Sequence, residues 1–235
     1  MFPLSDDNIG RRTTPYVTWA LIAINILVFI YQLSLGANAT AFILTWGLQP
    51  YEVFQLPPQD LAAFLTAMFL HGGIAHLAGN LFYLHVFGDN LEDVMGHGKF
   101  LLFYLLCGLA ASVAQIAIDP SSQVPIIGAS GAIAGVLGGY IMLFPHARVR
   151  TAIFFVLVRT LPAWVLLGFW FAMQAWSAFS SFGDSAGGVA FMAHVGGFVA
   201  GALLCRVFVN RNDLDRQRSI RAGYDRSRAL RSPRY

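Results

Sequence analysis

A short polar stretch interrupts the apolar sequence at residues 71–80, which read HGGIAHLAGN. The runs LAAFLTAMFL before it and LFYLHVFG after it are apolar, so hydropathy places His71, His76 and Asn80 inside a lipid bilayer. Polar side chains at that depth are costly and mark a functional site by default, with partners elsewhere in the chain. His76 and Asn80 are four residues apart and so share one helix face. We therefore look for their partners in the other apolar segments.

Two further polar residues lie in apolar segments, Ser130 in GASGAIAGVLGGY and His194 in AHVGGFVAG. A serine hydroxyl is a weak nucleophile until a base takes its proton, and neutral imidazole suits that task near pH 7. Attack on an amide carbonyl creates an oxyanion, which needs donors already aimed at it. The Asn80 amide, the His76 ring and the Ser130 backbone N–H are the candidates. No acidic residue lies at this depth in any apolar segment, so the sequence predicts a Ser-His dyad.

Each of these residues also has a purely structural interpretation. Ser130 suits a packing position on a membrane helix, because serine often satisfies a neighbouring backbone carbonyl there. His194 suits a hydrogen-bonded position inside a bundle, and His76 with Asn80 suits a polar contact between helices. A channel or transporter that uses His71, His76, His85 and His194 as a proton or metal path is a further alternative. The sequence has no HExxH pair, so we predict no metal site.

The composition indicates a membrane protein that crosses the bilayer several times. Hydrophobic residues make up 57% of the chain, charged residues 11%, and the mean hydropathy is +0.61, whereas soluble domains carry about a quarter charged residues. Cys107 and Cys205 fall inside apolar segments and are interpreted as packing residues. We expect no cleaved signal peptide.

Six apolar segments are long enough to span a bilayer, given that a spanning helix needs roughly 20 residues. They cover residues 16–35, 61–87, 99–118, 127–144, 160–180 and 188–209. The predicted fold class is all-α, a six-helix transmembrane bundle over residues 16–209. The apolar stretch TAIFFVLVRTLP before the fifth span is expected to lie at the membrane interface.

Basic residues set the expected orientation. Arg11 and Arg12 precede span one, Arg148 and Arg150 follow span four, and the tail is rich in arginine, whereas loops one, three and five carry no Lys or Arg. The positive-inside rule then places both termini in the cytoplasm. Residues 1–15 are predicted to form a cytoplasmic segment. Residues 210–235 are interpreted as a basic topology anchor with a mostly disordered end, and binding of the tail to anionic membrane lipid is the alternative. We expect no nucleic-acid partner, and a prokaryotic plasma membrane is the expected location.

The polar residues of spans two, four and six lie at one depth in this topology. His76, Ser130 and His194 are 12, 14 and 12 residues from the cytoplasmic ends of their spans, which corresponds to about 18, 21 and 18 Å along a helix. Glycines recur every four residues on spans four and six and predict close packing of these two helices. The glycines are Gly131, Gly135 and Gly139 on span four and Gly197 and Gly201 on span six.

Three motifs resemble those of the rhomboid family of intramembrane serine proteases: HGGIAHLAGN, GASG and AHVGG, in that order. The resemblance covers about residues 15–210 and implies a water-filled cavity open to the outside, with no cofactor. It implies Ser130 as nucleophile and His194 as base, with His76 and Asn80 at the oxyanion. The substrate cavity would include His71 near its outer mouth, with Gly128, Ala129 and Gly131. Substrates would be transmembrane segments of other proteins.

The sequence departs from the pattern of some rhomboids at two places. The first loop reads TWGLQP and lacks the arginine of a Trp-Arg pair. The position four residues after the serine is Ala134, where others have an aromatic residue stacked on the base. What holds His194 is therefore open, with Tyr83 and Phe82 as candidates. A non-catalytic relative that binds transmembrane segments without cutting them is the main alternative function.

Overall fold

The computed structural model describes residues 1–55, 61–153, 157–180 and 190–231. The chain is mostly helical, with a small sheet. Its helices are α1 Tyr16–Ser34, α2 Ala39–Trp46, α3 Pro50–Val53, α4 Ala63–Thr66, α5 Ile74–Met95, α6 His97–Ile118, α7 Ser130–Leu143, α8 Ala163–Ser180, α9 Phe191–Phe208 and α10 Arg211–Arg231. The strands are β1 Phe2–Asp6, β2 Arg148–Ile153 and β3 Leu157–Pro162.

Among the described residues, three helices are long and apolar enough to cross a membrane, namely α1, α6 and α9. Helix α7 is apolar but shorter, and α5 and α8 lie where spans two and five are predicted. Helix α5 begins at Ile74 rather than near residue 61, because Gly72 and Gly73 separate it from the short helical turns at 63–69, and glycine is a poor helix former. Gly96 alone separates α5 from α6 and has a φ of 80°, a conformation that glycine adopts readily.

Helix α7 lies at the centre of the bundle, against α5, α6, α8 and α9, and nearly all of its residues are buried. It packs most closely on α9. A Cβ atom on Gly197 or Gly201 would overlap the carbonyl oxygen of Gly131 or Gly135, respectively. The predicted glycine contact between spans four and six is confirmed at these positions. Gly139 differs, because its neighbours are side chains of α5, α6 and α9.

The three strands form an antiparallel sheet in the order β1-β2-β3. The all-α prediction therefore needs a correction, since the sequence analysis assigned no strand to residues 1–15 or to TAIFFVLVRTLP. Val149 and Thr151 of β2 are buried while the adjacent Arg148 and Arg150 are exposed, an alternation that favours a strand. Residues 154–156 of this stretch lie outside the described residues.

The basic tail also differs from the expected disorder, because Arg211–Arg231 is a helix. Leu214, Gln217 and Arg221 recur at helical spacing and are buried. Arg221 forms an ion pair with Asp7, and Gln217 Nε2 donates to Asp93 Oδ2 over 2.5 Å. The stripe that packs is mostly polar, so an analysis of hydrophobicity alone misses it.

Candidate active site

Ser130 is the first residue of α7, at the end of the helix where backbone N–H groups have no partner within the helix. The chain enters α7 through Gly128, whose φ is 112°. This conformation strains any residue with a Cβ atom, so the glycine permits the turn that presents Ser130. The side chain of Ser130 is partly accessible and faces the beginning of α9.

The structure brings the hydroxyl of Ser130 and the imidazole of His194 into hydrogen-bond contact, with Oγ 2.8 Å from Nε2. His194 lies in the first turns of α9 and is buried. The close approach of α7 and α9 at their glycines makes this distance possible. A hydroxyl and an imidazole in this geometry can act as nucleophile and general base.

His76 and Asn80 lie beside the turn that leads to Ser130. A Cβ atom on Gly128 would come within 2.8 Å of His76 Nε2 and 3.6 Å of Asn80 Nδ2. Both side chains thus face the backbone two residues before Ser130. Asn80 Nδ2 is also 3.0 Å from His71 Nε2. Since an amide group has two N–H donors, one remains available towards the site.

His71, which the resemblance places near the outer mouth of the cavity, is buried in the structure, with 1% of its surface exposed. Its backbone N–H donates to Gln32 Oε1 and its carbonyl accepts from Gln32 Nε2, both over 3.0 Å. Its Nδ1 is 3.3 Å from the carbonyl of Phe69. His71 therefore positions the Asn80 amide and, through Gln32, connects α1 to the segment before α5.

A small cavity lies directly beside the serine. Gly128, Ser130 and Gly131 line it, together with Met68 and Ser112. Two of the four predicted cavity residues, Gly128 and Gly131, are therefore found there. Ala129 is fully buried and supports the turn.

A family profile for the Rhomboid domain matches residues 58–211, which contain Ser130, His194, His76, Asn80 and His71. The chain belongs to the rhomboid family. This confirms the resemblance seen in the three motifs.

Relatives of this rhomboid include proteins named as proteases and one named as inactive. The chain is 36% identical to "Rhomboid protease GluP" of Bacillus subtilis over 53% of its own length and 24% of that protein. It is 29% identical to "Rhomboid protein 1, mitochondrial" of Saccharomyces cerevisiae over 88% of its own length and 57% of that protein. "Inactive rhomboid protein 1" of Drosophila melanogaster is 31% identical over 41% of this chain and 7% of its own. The chain thus spans about half or less of the length of these relatives.

Two residues of α8 contact the imidazole of His194 in this rhomboid. They supply the support that Ala134, which has no aromatic ring, does not give. Gln174 Oε1 is 2.6 Å from His194 Nδ1, and the ring centroids of Trp170 and His194 are 5.9 Å apart. Tyr83, one of the two expected candidates, contacts Trp170 rather than His194. Phe82, the other, packs against Phe2.

Gln174 is not among the site residues predicted from the sequence, although the sequence contains a signal for it. Gln174 lies twelve residues after Pro162 in an apolar segment, which is about 18 Å along a helix. This is the depth found for His76 and His194. A comparison of all polar residues by depth, including amides, points to it.

The alternative of a histidine path that extends through His85 gains no support from the described residues. His85 is exposed and lines a separate cavity beside the N-terminal segment, with Asp6, Arg11 and Asp89. Within the described part of the chain, no cluster of three or more His, Cys, Asp or Glu side chains could hold a metal ion.

Proposed function

We propose that this chain is an intramembrane serine endopeptidase that hydrolyses peptide bonds in or near the transmembrane segments of other membrane proteins. The observation that carries the proposal is the 2.8 Å contact between Ser130 Oγ and His194 Nε2 in a partly buried site. Membership of a family with relatives named as proteases supports it.

The reaction follows from this geometry. His194 Nε2 takes the proton of the Ser130 hydroxyl as Oγ attacks the scissile carbonyl carbon. The tetrahedral oxyanion accepts hydrogen bonds from Asn80, from His76 and from the free N–H groups at the start of α7. The C–N bond then breaks, and the imidazolium returns its proton to the leaving amine. Water, deprotonated by His194, hydrolyses the acyl-enzyme and regenerates the serine.

The decisive experiment is covalent labelling of the purified protein in detergent with a fluorophosphonate, followed by a cleavage assay on a single-span reporter protein. We expect labelling and cleavage that disappear in both Ser130→Ala and His194→Ala. Both should persist in Ser34→Ala, a serine on α1 whose hydroxyl donates to the Tyr31 carbonyl. Substantial turnover by either of the first two variants contradicts the dyad.

A non-catalytic protein that binds transmembrane segments is the second candidate, and the inactive Drosophila relative favours it. A folded wild-type protein that neither reacts with the probe nor cuts the reporter, but retains it in a pull-down, would support this candidate instead.

The six-span topology with cytoplasmic termini is part of the proposal. Arg216 Nη1 donates to the Gly10 carbonyl over 2.8 Å, and Arg221 pairs with Asp7. These contacts support a topology in which the segments before α1 and after α9 share one side of the membrane. This topology needs an even number of crossings, so the three candidate spans α1, α6 and α9 are not sufficient. Crossings by α5, α7 and α8 as well give the proposed six. The charge bias places this side in the cytoplasm.

A reporter enzyme that is active only outside the cytoplasm tests the topology when fused after Arg12, Asp119 or Arg211. We expect activity only for the fusion after Asp119. The expected location is a prokaryotic plasma membrane. Activity of the fusion after Arg211 contradicts the arrangement.

A further inference from the structure

Gln174 and Trp170 are placed to control the imidazole of His194. They lie four residues apart on α8 and therefore share a helix face. Trp170 packs against the imidazole and is itself stacked on Phe198, with ring centroids 6.2 Å apart. Gln174 reaches the ring nitrogen that points away from the serine. Each ring nitrogen of His194 therefore has one specific partner.

The hydrogen-bond chemistry of Gln174 fixes the tautomer of His194. A neutral imidazole has one N–H donor and one acceptor nitrogen, and an amide oxygen can only accept. With Gln174 Oε1 2.6 Å from Nδ1, the ring proton sits on Nδ1. The lone pair of Nε2 then faces Ser130 Oγ at 2.8 Å, which is the form that can take the hydroxyl proton.

An amide suits this position because the site is buried at membrane depth. A carboxylate behind the imidazole would stabilise the imidazolium more strongly, but a charged group there is costly. A neutral oxygen acceptor orients the ring and stabilises the developing positive charge through its dipole without adding a buried charge. This accounts for the lack of an acidic residue at the depth of the dyad.

We propose that Gln174 is the positioning residue of the dyad, so that the catalytic unit is Ser130-His194-Gln174. The inference rests on the proposed protease function, and Trp170 supplies the packing that keeps the ring in the plane of both hydrogen bonds. The role of Gln174 is to hold the proton on Nδ1 and to favour protonation of Nε2 during attack.

The test compares Gln174→Leu and Gln174→Glu by the pH dependence of kcat/KM for the reporter protein. Loss of the acceptor in Gln174→Leu disfavours the imidazolium, so we expect a kcat loss of about 10-fold or more with KM little changed, and an acidic limb shifted to lower pH. A carboxylate in Gln174→Glu favours the imidazolium, so the acidic limb moves to higher pH, with kcat above that of Gln174→Leu.

Gln115 provides the matched control. Its Oε1 accepts from the backbone N–H of Ala193 over 3.2 Å, so it contacts α9 one residue from His194 without contacting the imidazole. Gln115→Leu removes a comparable contact, and we expect its pH profile to match that of the wild type even if its melting temperature falls. Acidic limbs that coincide in the wild type and both Gln174 variants would overturn the proposal.

Nuclear magnetic resonance of ¹⁵N-labelled histidine separates this inference from the protease function. We expect the His194 ring, assigned by the loss of its signal in His194→Ala, to carry its proton on Nδ1 in the wild type and to lose that preference in Gln174→Leu. This readout needs no turnover. A proton on Nε2 in the wild type would overturn the role of Gln174, whereas a lack of fluorophosphonate labelling would overturn only the protease function.

Discussion

Replacement of Asn80 tests whether this residue donates a hydrogen bond to the oxyanion or only forms a structural contact between helices. Because it would donate to a charge that develops only in the transition state, we expect Asn80→Ala to lower kcat by up to about 10²-fold with little change in KM. Backbone donors at the start of α7 remain, so the loss is partial. Steady-state cleavage of the reporter and the melting temperature are measured on the same purified protein.

Asn25 is the control for this measurement, since it is a fully buried asparagine on α1 that donates to the Leu21 carbonyl over 2.7 Å. Asn25→Ala is expected to change the melting temperature but not kcat. The same pattern in Asn80→Ala and in His76→Ala, with stability reduced and turnover per folded molecule normal, would mean that both residues only connect helices.

The residues of the candidate site can be predicted from the sequence to different degrees. Ser130, His194, His76 and Asn80 stand out because each is polar within an apolar segment and lies at one depth. Gln174 was equally polar but has no place in a serine-histidine pattern, so a search by motif passes over it. His71 is buried against Gln32 of α1, and no local sequence pattern encodes that partner.

The close contact between α7 and α9 brings the Ser130 hydroxyl within reach of the His194 imidazole. A Cβ atom on Gly201 would overlap the backbone of Gly135, so in Gly201→Ala the helices must move apart. Overpacking of this kind destabilises proteins by about 1–3 kcal/mol. We expect a melting temperature lower by roughly 5 °C and a parallel loss of fluorophosphonate labelling.

Gly168 of α8 serves as the matched control, because a Cβ atom there meets no other atom within 4 Å. Gly168→Ala should leave labelling unchanged and keep or raise the melting temperature, since alanine favours helix more than glycine does. If Gly201→Ala is as stable and as reactive as Gly168→Ala, the glycine contact does not position the dyad.

The secondary structure can be predicted from the sequence where hydrophobic segments are long. The prediction fails where an element is held by polar contacts. The apolar segments containing α1, α6 and α9 are identified by hydropathy alone. The strands are not, because β1 becomes a strand only by pairing with β2, with Phe2 opposite Ala152 and Asp6 opposite Val149. Likewise α10 is held by Arg221 and Gln217 bonding Asp7 and Asp93, partners that lie far away in the sequence.

On the scale of the whole molecule, Asp6 connects the N-terminal segment to two helices of the bundle. Its Oδ2 accepts from Tyr140 on α7 and from Asn90 on α5, each over 2.6 Å. Burial, and then the negative charge of Asp89, raise the pKa of Asp6 to about 7, while the Tyr140 hydroxyl and Arg221 act in the opposite direction. The carboxyl group therefore keeps its proton in the folded protein through most of the acidic range.

The raised pKa makes the stability of this connection dependent on pH. In the unfolded chain an aspartate loses its proton near pH 4, so between about pH 4 and pH 7 the folded state binds a proton that the unfolded state does not. The free energy of unfolding then falls as pH rises across this range. The contribution is complete below the unfolded pKa and is lost above about pH 7.

Asp6→Asn tests this dependence, because asparagine keeps an uncharged oxygen that accepts from Tyr140 and Asn90 at every pH. We expect the melting temperature of the wild type to fall more between pH 5 and pH 8 than that of Asp6→Asn, with the variant more stable at pH 8. Asp215→Asn, at an exposed position on α10, should keep the wild-type dependence. An equal fall in the wild type and in Asp6→Asn would show that the proton on Asp6 does not contribute to holding β1 against α5 and α7.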